Sequence, residues 1–141
     1  MSRIAIVYWS GTGNTEMMAK AISDGVQSTG SKADVFQSID FSSDLVQDYD
    51  VLAFGCPSMG CEELESGEFE PMFDSCAPLL KNKPIALFGS YGWGDGEWME
   101  TWENNCQSQG ITLMQSSLIL NETPDDEGLD KCNLFGKGLV S

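Results

Sequence analysis

The fold of this chain is decided by the stretch Ile4-Ala5-Ile6-Val7-Tyr8-Trp9-Ser10-Gly11-Thr12-Gly13-Asn14-Thr15. Its first six residues are apolar, as in a β-strand that is buried on both faces. Six small or polar residues follow, and an amphipathic segment begins directly after them. A loop of this kind at the start of a helix directs backbone N–H groups and the positive end of the helix dipole toward one point. It contains no Lys or Arg, so we expect it to hold a phosphate group through hydrogen bonds.

Other phosphate-binding motifs do not match this loop. A P-loop of the GxxxxGK[ST] type requires a lysine, which is absent. The dinucleotide fingerprint requires a third small residue after Gly11 and Gly13, where this chain has Glu16. A phosphatase-like Cys-x5-Arg loop is also missing, because Glu62 stands six residues after Cys56.

Apolar runs alternate with amphipathic segments along the chain, which predicts an α/β fold with a parallel sheet between layers of helices. The predicted strands are Arg3–Trp9, Ala33–Gln37, Asp50–Gly55, Pro84–Ser90 and Thr112–Asn121, the last with a break at 115–117. The predicted helices run from the first loop to near Gly30, over Glu68–Leu80, from about Trp98 to Gly110 and over Glu127–Val140, with a short one at Phe41–Asp48. Gly136 and Gly138 are expected to weaken the end of the last helix.

The charge of the chain is strongly negative. Seven basic and 22 acidic residues give a net charge of −15 among 141 residues, and histidine is absent. Nucleic acids and anionic membranes are therefore excluded as expected partners, because both require basic surfaces. The charge is consistent with solubility alone or with steering toward a basic partner, and both interpretations stay open here. We expect a cytoplasmic protein, since no signal-peptide pattern or membrane-length apolar run is present.

The five cysteines are odd in number and irregularly spaced, which argues against a disulfide framework and for a reducing compartment. Cys56 and Cys61 match the first gap of a plant-type iron–sulfur pattern, but the next ligand would fall on Leu64. Zinc is not expected without histidine or a Cys-x-x-Cys pair. Three cysteines are predicted to pack on helix faces: Cys76, Cys106 and Cys132.

Ligands of an open parallel sheet bind beyond the carboxyl ends of its strands. The predicted loops at that edge are Ser10–Thr15, Cys56–Gly67, Ser90–Gly96 and Asn121–Glu127. Met59 lies beside a glycine in one of them, while Tyr91 and Trp93 lie among three glycines in another. An aromatic side chain in a glycine-rich loop favours a stacking role, although it can also fold back over the core. A flat, phosphorylated cofactor between Met59 and Trp93 accounts for all three loops.

Three loops together resemble those of a known family. The chain has Ser-Gly-Thr-Gly-Asn-Thr at 10–15, Pro-Ser-Met-Gly-Cys-Glu at 57–62 and Ser-Tyr-Gly-Trp-Gly at 90–94, in that order. These motifs look like those of a short-chain flavodoxin, and the resemblance covers essentially the whole chain. It implies a single flavodoxin-like domain over residues 1–141, with a doubly wound five-stranded parallel sheet of order 2-1-3-4-5 and helices on both faces.

The resemblance implies an electron-transfer protein rather than an enzyme. Such a protein binds FMN non-covalently and carries single electrons at low potential between redox enzymes. Its implied partners are redox proteins with basic docking surfaces, met transiently by a monomer. Two alternatives stay open: an FMN-dependent quinone or nitro reductase on the same fold, and a non-redox nucleotide-binding module.

The resemblance also implies roles for individual residues. Met59 would cover the inner face of the isoalloxazine ring and Trp93 the outer face, while Glu62 would lie near N3 and Asn121 near the ribityl chain. Trp9 is interpreted as a packing neighbour. The implied FMN-binding residues are Ser10, Gly11, Thr12, Gly13, Asn14, Thr15, Ser58, Met59, Gly60, Cys61, Glu62, Ser90, Tyr91, Gly92, Trp93 and Asn121, without a metal ion.

Two features of the implied site concern its redox potentials. In the family, the Gly60-Cys61 peptide turns its carbonyl toward flavin N5–H on one-electron reduction. The turned peptide resembles a type II turn, whose third position favours positive φ, so Cys61 costs about 1 kcal/mol relative to glycine. Fully reduced FMN is an anion, and the segments 34–80 and 84–130 contain acids but no base. The acidic surroundings therefore predict a low potential for the second reduction step.

Overall fold

The computed structural model describes residues 3–11, 13–59, 63–92, 94 and 96–140. Five parallel strands form one sheet in the order β2-β1-β3-β4-β5, which confirms the predicted topology. The strands are β1 (Arg3–Tyr8), β2 (Lys32–Gln37), β3 (Val51–Gly55), β4 (Ile85–Tyr91) and β5 (Leu118–Asn121). The helices are α1 (Asn14–Ser28), α2 (Phe69–Cys76), α3 (Glu97–Ser108) and α4 (Asp126–Gly138). In the described ranges, every helix falls short of the length and apolar content needed to cross a membrane.

The central strands are apolar at successive positions because both faces of the sheet are covered. Ala5 and Val7 of β1 pack into the cluster that α2 and α3 cover. Ile4 and Ile6 point to the opposite face and join the cluster covered by α1 and α4. The two-residue period of a strand thus distributes one apolar run between two cores.

Several elements are shorter in the structure than their sequence patterns predict. Helix α2 ends at Cys76 and continues only as a 3₁₀ turn over Ala77–Leu79, where Pro78 lacks the N–H that an α-helix requires. The fifth strand is interrupted as predicted: Leu113 forms an isolated bridge with Ile85, and regular pairing resumes at β5. The predicted short helix at 41–48 is a 3₁₀ segment over Ser43–Asp48.

The glycines of α4 permit close packing against α1. Helix α4 continues through Gly136 and ends at Gly138, two residues before the predicted end. A Cβ atom on Gly136 would lie 2.1 Å from the Ile22 carbonyl oxygen, and one on Gly25 would lie 2.1 Å from the Asn133 carbonyl oxygen. The two helix backbones therefore approach to a distance that excludes any side chain at these two positions.

Cys76, Cys106 and Cys132 are buried on helices, as predicted. Cys56, directly after β3, is also buried, and all four of these described cysteines are free thiols. Burial raises the pKa of Cys76 to about 11 and that of Cys106 and Cys132 to about 12. These thiols therefore stay protonated and unreactive at neutral pH.

Candidate functional site

A cleft of about 250 Å³ opens at the carboxyl edge of the sheet, where the strand order reverses beside β1. Loops that follow four of the five strands contribute to it, as expected for a doubly wound sheet. Its lining residues are Trp9, Ser10, Gly11, Asn14, Thr15, Pro57, Ser58, Met59, Ser90, Tyr91, Gly92 and Glu122.

The cleft brings together nine of the residues singled out in the sequence: Ser10, Gly11, Asn14, Thr15, Ser58, Met59, Ser90, Tyr91 and Gly92. Gly13 instead lines a neighbouring polar cavity of about 240 Å³, and Asn121 lines a third cavity beside Thr123. Five further residues lie outside the described ranges: Thr12, Gly60, Cys61, Glu62 and Trp93. The roles assigned to those five stay predictions.

The first loop is shaped by hydrogen bonds to the Ser10 hydroxyl. Its oxygen accepts from the backbone N–H of Gly13 at 3.0 Å and from that of Glu16 at 3.3 Å. Gly13, with φ 97°, adopts the left-handed conformation that reverses the chain into α1. The N–H groups of Asn14 and Thr15 occupy the first two helical positions, which have no acceptor within a helix. Two residues whose backbone N–H groups lack a helical acceptor, Asn14 and Thr15, therefore line one end of the cleft.

The hydroxyls of Thr15 and Ser90 form a buried hydrogen bond of 2.8 Å at the base of the cleft. The same Ser90 accepts, through its backbone carbonyl, the N–H of Ser58 at 2.9 Å. Ser90 thus connects the start of α1 to the loop after β3. This arrangement fixes the relative positions of three walls of the cleft.

The loop after β3 is closed by reciprocal backbone hydrogen bonds. The N–H of Met59 donates to the Glu63 carbonyl at 2.8 Å, and the N–H of Glu63 donates to the Met59 carbonyl at 2.9 Å. Met59, which lines the cleft, is therefore held by an antiparallel bridge to Glu63.

The loop after β5 is attached to the end of β4. The Tyr91 carbonyl accepts from the side-chain amide of Asn121 at 3.2 Å and from the N–H of Glu122 at 2.7 Å. Glu122 has φ 57° and is the one non-glycine residue with positive φ in the described part of the chain. Its position on the cleft wall places a carboxylate-bearing residue beside the site, whereas the described lining residues include no Lys or Arg.

Three lining residues were not predicted to contact the site: Trp9, Pro57 and Glu122. Each of them is the first or second residue after the end of a strand. That position was the signal in the sequence that could have identified them. Trp9 was interpreted as a packing neighbour; the structure places it both against the core and on the cleft wall. Its indole N–H donates to the Glu68 carboxylate at 2.9 Å.

Two groups near the site have raised pKa values. Burial, together with the hydrogen bond from its hydroxyl to Glu16, raises the pKa of Tyr8 to about 12. Burial raises the pKa of the Cys56 thiol to about 12 as well. Neither group ionises at neutral pH, so neither one neutralises or adds to the negative charge near the cleft.

Comparison with known proteins identifies the family. The flavodoxin family model matches residues 6–136. The chain belongs to the flavodoxin family. It is 46% identical over 123 residues to a flavodoxin of Megasphaera elsdenii, covering 87% of this chain and 89% of that protein. It is 41% identical over 136 residues to a flavodoxin of Clostridium beijerinckii, covering 96% and 98%.

The fold comparison agrees with the sequence comparison. The solution structure of two-electron reduced Megasphaera elsdenii flavodoxin superposes with a TM-score of 0.88 at 43% identity, covering 96% of this chain and 97% of that structure. This short-chain flavodoxin is thus an FMN-binding electron carrier that passes electrons to redox partner proteins, and it is not an enzyme. Family membership disfavours both the reductase and the non-redox nucleotide-binding module.

The residues of the cleft fit FMN by their chemistry. Backbone N–H groups and the hydroxyls of Ser10 and Thr15 suit a phosphate without requiring a base. Met59, Trp9 and Tyr91 provide apolar surface suited to a ring system. The phosphate of FMN therefore matches the hydrogen-bond donors on one side of the cleft, and its ring system matches the apolar side chains on the other.

Proposed function

We propose that this flavodoxin holds FMN in the cleft between the loops after β1, β3 and β4. The observation that carries the proposal is the meeting of a donor-rich helix start and the apolar Met59–Tyr91 wall in one cleft at the strand reversal. FMN supplies one-electron redox chemistry when bound, and the protein adjusts its potential.

The binding roles divide between the two ends of the cleft. The loop 10–15 holds the phosphate through backbone N–H groups and hydroxyls, and the start of α1 adds positive potential there. The loops at 57–62 and 90–93 hold the ring, with Met59 on its inner face. Ser90 positions both ends because it contacts Thr15 with its side chain and Ser58 with its carbonyl.

The acidic character of the chain sets the potential and the choice of partner. A net charge of −15 and a carboxylate on the cleft wall disfavour added negative charge on the flavin, which supports a low potential. The same charge attracts redox proteins with basic docking surfaces in weak, short-lived encounters. We further propose that the protein is a cytoplasmic monomer comprising a single domain.

A pair of glycine substitutions tests the phosphate site. Gly13 and Gly30 lie at opposite ends of α1, both have positive φ, and a Cβ on either would meet no atom within 4 Å. Gly13→Ala and Gly30→Ala therefore impose the same backbone strain of about 1 kcal/mol at different places. Only Gly13→Ala is expected to weaken FMN binding, by about tenfold, because only Gly13 belongs to the loop.

The measurement is quenching of flavin fluorescence on titration of the apoprotein with FMN, and with riboflavin, which lacks the phosphate. Gly13→Ala should leave the riboflavin affinity close to that of Gly30→Ala. An equal loss of FMN and riboflavin affinity in Gly13→Ala, or no loss of either, contradicts the assignment of loop 10–15 to the phosphate.

A further inference from the structure

Glu65, which does not line the cleft, uses all of its polar groups in hydrogen bonds. Its carboxylate accepts the backbone N–H groups of Gly67 at 2.9 Å, Glu68 at 2.7 Å and Phe69 at 2.8 Å. Its own carbonyl accepts the N–H of Glu70 at 2.9 Å. These contacts bind Glu65 firmly to the first turn of α2.

The remaining polar group of Glu65 connects it to β3. Its backbone N–H donates to the Cys56 sulfur at 3.3 Å, and Cys56 is fully buried directly after that strand. The chain therefore leaves the sheet at Cys56, and at Glu65 it comes back into contact with Cys56. This hydrogen bond of Glu65 joins the two ends of the intervening segment.

The closed segment contains the cleft residue Met59. Inside it, Met59 and Glu63 exchange two backbone hydrogen bonds, and Ser58 donates to the Ser90 carbonyl. Glu63 lies two residues before Glu65, so a single short stretch of backbone joins Glu65 to the residue that is hydrogen-bonded to Met59.

The Glu65 carboxylate is charged at neutral pH. Burial opposes its ionisation, but the hydrogen bonds from Phe69, Glu68 and Gly67 outweigh that effect and lower its pKa below the ordinary value. Charge-assisted hydrogen bonds of this kind are stronger than neutral ones. Both carboxylate oxygens of Glu65 accept backbone N–H groups. In Glu65→Gln one of these oxygens becomes an NH₂ group, which is a donor and cannot accept the backbone N–H that faces it.

We propose that Glu65 is a positioning residue for the flavin site, which holds Glu63 in place and thereby keeps its partner Met59 on the cleft wall. This inference rests on the proposed binding of FMN in the cleft. Its effect on the flavin is indirect, since Glu65 itself does not reach the cleft.

The test compares Glu65→Gln with Glu70→Gln. Both variants remove one negative charge near the start of α2: Glu65 lies four residues before the helix, and Glu70 is its second residue. In the described structure the Glu70 side chain has no hydrogen-bond partner. Amide hydrogen exchange of the apoprotein is expected to accelerate at Met59 and Glu63 by about tenfold in Glu65→Gln and to stay unchanged in Glu70→Gln. The amide of Ile6 in β1 serves as the reference for global stability.

The flavin-loaded protein provides the second readout. In Glu65→Gln we expect an FMN dissociation constant about fivefold to tenfold higher and a changed separation between the two one-electron potentials, with neither effect in Glu70→Gln. Acceleration at Ile6 equal to that at Met59 makes Glu65 a general stabiliser and overturns the proposal, as do identical potentials in the two variants. Failure of the unmodified protein to bind FMN overturns the proposed function instead, while the exchange data of the apoprotein still judge Glu65.

Discussion

Thr15 and Ser90 are 75 residues apart in the chain, yet their hydroxyl oxygens lie 2.8 Å apart in the interior. Thr15 belongs to the first turn of α1 and Ser90 to the carboxyl end of β4. Both residues are almost fully buried, with exposed fractions of 1% and 4%. A polar pair in this position joins the helix that begins at the phosphate loop to the strand that leads into the aromatic loop.

Thr15→Val is expected to destabilise the apoprotein by about 1–3 kcal/mol, because it preserves the side-chain shape and leaves the buried Ser90 hydroxyl without this partner. Thr15→Ser keeps the hydroxyl and serves as the control. Urea denaturation at neutral pH measures the free energy of unfolding of both variants. Thr15→Val proving as stable as Thr15→Ser would show that the hydrogen bond contributes nothing.

Gly136→Ala is expected to destabilise the protein by about 3 kcal/mol, since its Cβ would lie 2.1 Å from the Ile22 carbonyl oxygen and force α4 away from α1. Gly138→Ala, two residues further along α4, is the matched control. Its Cβ would meet only the end of the Gln115 side chain, so the expected cost is the hydrogen bond from that side chain to the Phe135 carbonyl, about 1 kcal/mol. Thermal and urea unfolding of both variants measure the difference, and equal stabilities would contradict the close helix contact.

Tyr8 predicts a loss of stability at alkaline pH. Its pKa is raised to about 12 in the folded protein, so the unfolded chain releases this proton first as the pH rises above 10. The stabilisation from Tyr8 is therefore complete below pH 10 and is lost between pH 10 and about 12. At about 1.4 kcal/mol for each pH unit, the total loss is about 3 kcal/mol.

The check is the free energy of unfolding at pH 8 and pH 11 for the unmodified protein and for Tyr8→Phe. The variant is expected to lose less stability between the two pH values. Tyr49→Phe is a matched second variant, because the Tyr49 hydroxyl donates to Asp34 and burial raises the pKa of Tyr49 to about 12 too. Parallel pH profiles for all three proteins would contradict the prediction.

Glu122→Gln is expected to raise the lower of the two one-electron potentials by on the order of 30 mV, about half of the 59 mV that corresponds to a tenfold factor. The carboxylate on the cleft wall disfavours the negative charge of reduced flavin, and salt screens this repulsion. The same potential in the unmodified protein should therefore rise with ionic strength.

The control for Glu122 is Asp48→Asn, which removes an equal charge from an exposed residue just before β3, at the opposite edge of the sheet. Spectroelectrochemical titration at two salt concentrations measures both effects. If the lower potential does not change with salt concentration, or if it shifts equally in the two variants, Glu122 does not determine that potential.

Cys61→Gly is expected to widen the separation between the two one-electron potentials. Cys61 lies outside the described residues, so this prediction depends on the family resemblance and on the preference of a type II turn for glycine. The relief of about 1 kcal/mol corresponds to somewhat less than a tenfold change in population, or to less than about 59 mV. A redox titration with unchanged separation would eliminate this explanation.

Much of the architecture could be predicted from local patterns. The apolar runs of β1, β3 and β4 identified three strands of the parallel sheet. The motifs at 10–15, 57–62 and 90–94 identified the flavodoxin family, which the comparisons confirm. Local patterns suffice here because a strand, a turn or a helix start depends mainly on residues within a few positions of each other.

The contacts between distant segments could not be predicted in the same way. Nothing in the sequence near Gly136 shows that the Ile22 carbonyl lies against it, and the pattern alone assigned that glycine a weakening effect. Likewise, Glu65 appeared as one acid among many until the fold placed it between Cys56 and the first turn of α2.

By itself, the sequence determined the class of fold, the order of the loops at the carboxyl edge and the family to which they belong. Only the tertiary structure decided that Trp9 and Glu122 line the cleft, and that Thr15 meets Ser90 at its base. The physical reason is that a parallel sheet brings together chain segments separated by dozens of residues. Which side chains then touch depends on strand register and helix packing distance, and a local pattern contains neither.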